Sequence, residues 1–105
     1  MYKPLPDTLT IKQSGVHGLG LFAKEGIAQG KNFGMSHIKL NGNMVRTPLG
    51  GFINHSNDPN CKKVKLKFTN SDKEYDYHFN KWNLITLKDI KQGEELTLTY
   101  TFYNI

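Results

Sequence analysis

The sequence predicts a mostly-β domain built from short strands. Apolar and polar residues alternate over many short segments, and turns rich in Gly, Asn and Asp separate those segments. Helical spacing is not sustained, because no window of a dozen residues keeps apolar positions at i, i+3, i+4 and i+7 without a Gly or Pro. At 105 residues, we expect residues 1–105 to form one domain around one core.

Alternation predicts where the strands lie. On the segment from Lys63 to Phe68, lysines at every second position alternate with Val64 and Leu66. We expect the aliphatic side chains to face the core and the lysines to face solvent. The predicted strands, in chain order, are residues 8–12, 63–68, 74–79, 82–87 and 96–102.

Turn residues predict the connections between these strands. Asn41-Gly42 lies between two apolar-containing runs, 38–40 and 44–46, and predicts a tight hairpin, since both residues tolerate a positive φ. Residues 69–72 predict a second hairpin, and residues 88–93 predict a loop before the last strand. The segment 47–60 shows no alternation, so we expect a loop or a short 3₁₀ helix there.

Composition limits the classes of function. The single cysteine, Cys61, excludes an internal disulfide and a multi-cysteine zinc cluster, and it fits a reducing compartment. The sequence has neither an apolar run of roughly 20 residues nor the apolar stretch of a signal peptide. We therefore expect a soluble intracellular protein that does not enter a membrane. The net charge of +5 is consistent with solubility, with a nucleic-acid partner or with an acidic partner.

The first segment with chemical interest is residues 14–23. Gly18-x-Gly20-x-x-Ala23 formally matches the dinucleotide-binding fingerprint, which requires a helix directly afterwards. Glycines at positions 26, 30 and 34 argue against that helix. The alternative is a glycine-rich turn between two strands, where the backbone can closely approach a ligand.

The second segment, residues 51–61, concentrates polar side chains. His55 and Cys61 could ligate a metal, but no second pair of ligands has matching spacing. A Cys-His nucleophilic site is another reading, although nothing in the sequence activates Cys61. Taken alone, the segment is also typical of a loop whose Asn, Asp and Ser side chains bind the backbone.

The third segment, residues 84–102, ends in a predicted strand. Leu96, Leu98, Tyr100 and Phe102 share one face of that strand. Taken alone, Tyr100 reads as a core aromatic residue whose hydroxyl finds one partner.

Together, in this order and spacing, the three segments resemble the SET family of protein-lysine methyltransferases. The segments are residues 14–23, Phe52-Ile-Asn-His-Ser-x-Asp-Pro-Asn-Cys61, and Lys88-Asp-Ile-x-x-Gly-Glu-Glu-Leu-Thr-x-x-Tyr100. The resemblance implies the SET fold, in which several small β-sheets surround a C-terminal pseudoknot.

The resemblance also implies an activity and a site. It implies transfer of a methyl group from S-adenosylmethionine to a lysine of a protein or peptide substrate, histone or other, leaving S-adenosylhomocysteine and using no metal. It makes Tyr100 the catalytic tyrosine. The residues that it implies for the cofactor site are His17, Gly18, Leu19, Gly20, Asn54, His55, Tyr100 and Phe102. The alternative is a weakly catalytic SET-fold module that binds an acidic protein or a nucleic acid.

Two departures from the family pattern lead to further expectations. Leu98 stands where the family usually has Phe or Tyr, so the number of methyl groups added stays open. Residues 101–105 are fewer than the family normally uses to complete the lysine channel, so we expect a homodimer, as in very small viral members. That size suggests a viral or microbial protein acting in the cytoplasm or a host nucleus. Nucleic acid is not expected as the main ligand, because Val64 and Leu66, rather than aromatic residues, interleave the lysines.

Overall fold

The chain folds into short strands, as the alternation predicts. A computed structural model describes residues 5–15, 18–40, 42–69 and 78–99. The mostly-β fold class is confirmed. The elements are β1 (Leu9–Gln13), β2 (Leu19–Ala23), β3 (Asn32–Leu40), β4 (Asn43–Arg46), α1 (Pro48–Gly51), β5 (Asn54–His55), β6 (Cys61–Thr69), β7 (His78–Thr86) and β8 (Glu95–Leu98). Within the described ranges, no helix is long and apolar enough to span a bilayer.

The strands form two four-stranded sheets, and the first of them brings distant segments together. Its strand order is β1-β2-β8-β5, and that of the second sheet is β4-β3-β7-β6. In the first sheet, β8 pairs antiparallel with β2 and parallel with β5. The three segments that resemble the SET family therefore lie side by side. The threading of the C-terminal pseudoknot involves residues outside the described ranges and stays a prediction.

The predicted connections agree with the structure where it describes them. Leu40 pairs with Asn43 across a two-residue turn in which Gly42 has φ 82°, so the hairpin at 41–42 is confirmed. Strands β6 and β7 form a second hairpin, with Thr69 still paired to His78. The predicted turn at 69–72 and the predicted strand at 74–79 lie mostly outside the described residues. Gly93 turns the loop before β8 with φ 88°.

The observed elements confirm one expectation and change another. Residues 19–23 form a strand rather than a helix, so the glycines belong to a turn between two strands, as expected, and the dinucleotide-binding reading is excluded. In the segment 47–60, the short helix α1 is a single α-turn rather than a 3₁₀ helix.

The core draws on both sheets. Leu21 and Leu96 of the first sheet and Leu84 of the second are fully buried, and all three belong to one apolar cluster. Ile53, directly before β5, and Ile90, in the loop before β8, complete its centre. Burial of these side chains fixes the positions of the segments that precede β5 and β8, and so fixes the ends of both strands.

The expected orientation of β6 is wrong. Side chains of directly opposed residues in antiparallel strands share a face. Lys63 lies opposite fully buried Leu84, and Cys61, which alternates with Lys63, is also buried. Val64 and Leu66 are only half-buried on the other face. The face of β6 that carries Cys61, Lys63 and Lys65 is therefore buried at Cys61 and exposed at Lys65. Lys63 lies between them, where its aliphatic stem can pack against apolar neighbours.

His37 is a buried titratable residue of the second sheet. It is 5% exposed, and its Nδ1 lies 2.9 Å from the hydroxyl oxygen of Ser36. A Cβ on Gly50 would lie 3.0 Å from His37 Nε2, so α1 packs directly on the ring. Burial, with added repulsion from Lys63 and Arg46, lowers the pKa of His37 to about 4.

The low pKa of His37 predicts that stability falls in acid. Between pH 6.5 and pH 4 the unfolded state binds a proton at this residue that the folded state does not bind, so the free energy of unfolding decreases as the pH falls through this window. The full loss is roughly 3 kcal/mol, since a tenfold change in an equilibrium corresponds to about 1.4 kcal/mol. Urea unfolding across this window should show a smaller loss for His37→Gln than for the natural chain. The control His55→Gln changes an exposed histidine and should keep the loss; equal pH profiles for the natural chain and His37→Gln would contradict the assignment.

Candidate active site

The side chain of Glu95, the first residue of β8, joins the three segments that resemble the SET family. The hydroxyl of Ser14 donates to Glu95 Oε1 at 2.7 Å and to Oε2 at 2.9 Å. The amide Nδ2 of Asn54 donates to Glu95 Oε2 at 2.8 Å. Ser14 belongs to the first segment, Asn54 to the second and Glu95 to the third, so one side chain links all of them.

Asn54 is held on two sides by these contacts. Its side chain is buried, with 8% exposed, and Nδ2 also donates to the backbone carbonyl of Leu19 at 3.1 Å. A Cβ at Gly20 would overlap Glu95 Oε2 and lie 3.1 Å from Asn54 Nδ2, so a side chain there would force the Glu95 carboxyl group to move. The absence of a side chain at Gly20 therefore permits close approach of β2 to the Asn54–Glu95 pair.

Gly18, the residue before β2, faces open space within the described part of the chain. It has φ 46°, and no described residue lies within 4 Å of a Cβ built on it. The carbonyl of Gly18 accepts from the backbone N–H of Ser14 at 2.7 Å, which closes the turn. Leu19 is 52% exposed although it is apolar. Among the described residues, room for a ligand therefore exists beside Gly18 and the exposed side chain of Leu19.

The loop after β5 holds β8 along its length. Asn54 and His55 pair in parallel with Thr97 and Leu98. Beyond this pairing, the backbone N–H of Ser56 donates to the carbonyl of Leu98 at 3.0 Å, and the hydroxyl of Thr99 donates to the carbonyl of Ser56 at 2.8 Å. These contacts fix β8 up to Thr99, the residue directly before Tyr100.

Asn60 completes this attachment with its side chain. Its Oδ1 accepts from the backbone N–H of Thr97 at 2.8 Å, and its Nδ2 donates to the carbonyl of Glu95 at 2.9 Å. The side-chain amide of Asn60 thus forms the two hydrogen bonds to the β8 backbone that a neighbouring strand would otherwise form. The residue is 8% exposed, so both hydrogen bonds are shielded from water.

His55 and Asn54 point in opposite directions, as neighbours on a strand do. The side chain of His55 is exposed, and its Nε2 lies 3.0 Å from Asn57 Oδ1. The backbone of His55 is what contacts β8. Within the described part of the site, His55 thus contributes to the pairing with β8 through its backbone.

Cys61 is unsuited to nucleophilic chemistry. It is 1% exposed, and burial raises the pKa of its thiol to about 12. The thiolate, which is the reactive form, is therefore negligible near neutral pH. Among the described residues, no group of three or more His, Cys, Asp or Glu side chains is arranged to hold a metal ion.

A cavity of about 200 Å³ lies beside the end of β8. Its walls combine apolar side chains with lysines and include Leu98, which is buried in the core. The lining residues are Pro59, Cys61, Lys62, Lys63, Leu87, Leu98 and Thr99.

The described residues contain only part of the site that the sequence predicts. Gly18, Leu19, Gly20, Asn54 and His55 lie along the junction of β2, β5 and β8. The predicted residues His17, Tyr100 and Phe102 lie outside the described ranges. Sequence reasoning missed the roles of Ser14, Asn60 and Glu95. For Glu95 a signal existed, namely an acidic residue opening a strand that is otherwise apolar at alternate positions.

Comparison with known proteins identifies the family. Residues 35–101, more than half of the chain, match the family model described as the SET domain. The chain belongs to the SET domain family. Two of the segments that resemble the family, 51–61 and 88–100, lie within the matched range. The family supports methyltransferase chemistry at this coarse level.

Solved structures agree on the fold of this SET chain. A crystal structure of a Plasmodium falciparum protein described as a "putative histone methyltransferase" superposes with a TM-score of 0.68 and 17% sequence identity. The superposition covers 93% of this chain and 96% of that one. At this identity the likeness concerns the fold alone. No curated protein sequence matches the chain.

The packing at Gly20 yields a prediction about stability. Gly20→Ala should push the Glu95 side chain away from Asn54 and lower the free energy of unfolding by about 1–3 kcal/mol, as overpacking and lost buried hydrogen bonds do. Gly15→Ala is the matched control, because no described residue lies within 4 Å of its Cβ and its φ is not positive. Urea unfolding of both variants measures the difference; equal midpoints would contradict the close approach of β2 to Glu95.

Proposed function

We propose that this SET-family chain is a protein-lysine N-methyltransferase that uses S-adenosylmethionine. The observation that carries the proposal is the junction at Glu95, where Ser14, Asn54 and the start of β8 meet through side-chain hydrogen bonds. These residues come from three segments that are remote in sequence, and each segment resembles one SET motif. A junction that holds them together is what a single site built from all three motifs requires.

The cofactor site that we propose lies along β2 and β5. Gly18, Leu19, Gly20, Asn54 and His55 would hold S-adenosylmethionine, together with His17, Tyr100 and Phe102. The fit is supported by the open space beside the Gly18 backbone and by the short link from the Leu19 carbonyl to Asn54. When bound, the cofactor supplies a methyl group on a positively charged sulfur. The site needs no metal in this proposal.

The cavity beside Thr99 is where we propose that the target lysine enters. A free lysine has a pKa of about 10.4, so exposing its neutral amine at pH 7 costs roughly 4–5 kcal/mol. The apolar side chains of Leu87 and Leu98, and the positive charges of Lys62 and Lys63, would both disfavour the ammonium form there. The chain thus lowers the cost of deprotonation by its environment rather than by a strong base.

Tyr100 follows Thr99 directly in the chain, and we assign it the catalytic role. Its hydroxyl would orient the neutral amine at the inner end of the cavity. Correct alignment of the reacting groups accounts for a large part of the rate in such a reaction. The attachment of β8 by Ser56 and Asn60 supports this role, since it fixes the backbone up to Thr99.

The assignment of Tyr100 predicts a selective loss of turnover. Tyr100→Phe should lower the rate of methyl transfer by roughly a hundredfold or more, in the range lost with other positioned catalytic groups, while S-adenosylmethionine still binds. Mass spectrometry of candidate protein substrates measures the first quantity, and calorimetric titration measures the second. Tyr2→Phe, near the other end of the chain, is the control and should stay active. Unchanged turnover in Tyr100→Phe would remove the residue from the mechanism.

A second candidate function is a binding module for an acidic partner. The observation that favours it is the run of lysines on β6, where Lys65 is exposed. Titration with S-adenosylmethionine distinguishes the two functions, since only the enzyme needs this cofactor. Failure to bind S-adenosylmethionine in the titration above would favour the binding module. We place either function in a reducing intracellular compartment, which the single cysteine favours.

We also propose that two copies of the chain associate. β4 is an edge strand, and its Val45 is 52% exposed. Leu40 of β3, on the same face, is 42% exposed. Edge strands with exposed apolar side chains readily pair with another chain.

Association predicts a measurable mass in solution. Sedimentation at micromolar concentration should give a dimer, and Val45→Lys should shift it toward the monomer by placing like charges at the contact. Lys24→Gln is the control, because that exposed side chain lies on neither β3 nor β4. A fully active monomer would contradict the proposal.

A further inference from the structure

The charged residues on the strands of the second sheet, β4-β3-β7-β6, all carry positive charge. These four strands contain Lys and Arg but no Asp or Glu. The connection between β6 and β7 contains Asp72, Glu74 and Asp76, which lie outside the described residues. The cations of the strands are Lys39, Arg46, Lys62, Lys63, Lys65, Lys67 and Lys81.

Arg46, Lys63 and Lys65 lie on the same face of the sheet as Lys39, and we call these first three residues the basic face. The cross-strand register runs from Arg46 through His37 and Trp82 to Lys65, so these four side chains form a row on one side. Lys63 lies on the same side, two residues before Lys65. Arg46 and Lys65 are exposed, and Lys63 is half-buried.

The described residues do not neutralise the basic face. Within residues 5–15, 18–40, 42–69 and 78–99, an ion pair joins Lys88 to Asp58 at 3.9 Å, and none involves Arg46, Lys63 or Lys65. Burial, and then the positive charge of Arg46, lower the pKa of Lys63. Lys63 and Arg46 therefore repel each other, and a bound anionic group would relieve that repulsion.

The basic face leads directly to the cavity beside Thr99. Lys63 lines that cavity as well as belonging to the basic face. From Lys63 to Lys65 the side chains are about 7 Å apart, which is also the spacing of alternate side chains in an extended peptide. A peptide whose lysine enters the cavity could therefore place its neighbouring residues along the basic face.

We propose that the basic face binds acidic residues that flank the target lysine, so that the substrate class is a protein segment with Asp or Glu within about four residues of that lysine. This inference rests on the proposed lysine methyltransferase function. It distinguishes the substrate from a basic tail, because Lys or Arg beside the target would meet Arg46, Lys63 and Lys65.

The face suits a protein better than a nucleic acid. Single-stranded nucleic acids bind basic grooves in which exposed aromatic rings stack on the bases. The aromatic residue in this row, Trp82, is 5% exposed, and the ammonium of Lys65 lies 5.7 Å from its ring centroid. The ring is thus covered, and charge is what the face offers to a partner.

The test uses three matched peptides, each with one central lysine as the only lysine and with flanks of Asp and Glu, of Asn and Gln, or of Arg. With the full chain and S-adenosylmethionine, mass spectrometry measures kcat/KM for each peptide. Fluorescence anisotropy separately measures binding of the labelled peptides without turnover. We expect the acidic peptide to exceed the neutral one by roughly tenfold in both, and the advantage to shrink at about 1 M salt, where the Debye length is about 3 Å.

Variants of the basic face locate the effect. Arg46→Gln/Lys65→Gln, which changes only exposed side chains of the basic face that do not line the cavity, should remove most of the advantage of the acidic peptide and leave the neutral peptide unchanged. Lys24→Gln/Lys91→Gln removes the same charge from exposed positions outside the face and should keep the advantage.

Two results would overturn the proposal. The first is equal or better binding of the basic peptide, and the second is tighter binding of an oligothymidine of equal charge, which would make the face a nucleic-acid site. Binding of the acidic peptide to the basic face without any methylation would support the docking surface and count against the proposed enzyme. The binding arm therefore separates failure of this inference from failure of the proposed function.

Discussion

The hydrogen bond from Asn54 to Glu95 is the contact on which the proposed site depends, because it joins the two strands that carry the polar motifs. Asn54 lies on a strand of two residues, which backbone pairing alone would hold weakly. The same amide also reaches Leu19, and Ser14 binds the same carboxyl group, so the β1–β2 turn is tied to the junction. A side chain at Gly20 would displace the Glu95 carboxyl group from this junction, since it would occupy the same space. Buried polar contacts of this kind specify one arrangement, because leaving one partner unpaired costs more than the pair contributes.

We propose that the two sheets have different functions. The first sheet, with β2, β5 and β8, carries the residues proposed to bind the cofactor and leads to Tyr100. In the second sheet, one face of β6 is buried at Cys61 and exposed at Lys65, so this strand connects the cavity with a charged surface. Chemistry and substrate selection would thus rest on different sheets that meet at the cavity lined by Leu98 and Lys63. Changes on β6 could then alter substrate choice without disturbing Asn54 and Glu95.

Local patterns predicted the parts of the fold that local physics decides. Asn41-Gly42 was enough to predict the β3–β4 hairpin, since few other dipeptides adopt its backbone angles so readily. The orientation of β6 could not be predicted, because alternation of lysines with Val64 and Leu66 identifies two faces without saying which faces the core. Leu84, which lies opposite Lys63 and 21 residues later in the chain, decides that question. The role of Glu95 was missed for a similar reason, since its partners are contributed by distant segments. The match to the SET family covers residues 35–101, and the residues of the site beyond Thr99 stay predictions.

The central claim is that the three segments form one cofactor site around Asn54. A direct measurement is the ¹H–¹⁵N spectrum of the full chain during titration with S-adenosylhomocysteine, with assigned backbone amides. We predict that saturable chemical-shift changes concentrate at five residues, namely Gly18, Leu19, Gly20, Asn54 and His55. The amide shifts of β4 and of the distal half of β6 should stay unchanged. Absence of shifts, or shifts confined to the second sheet, would contradict it.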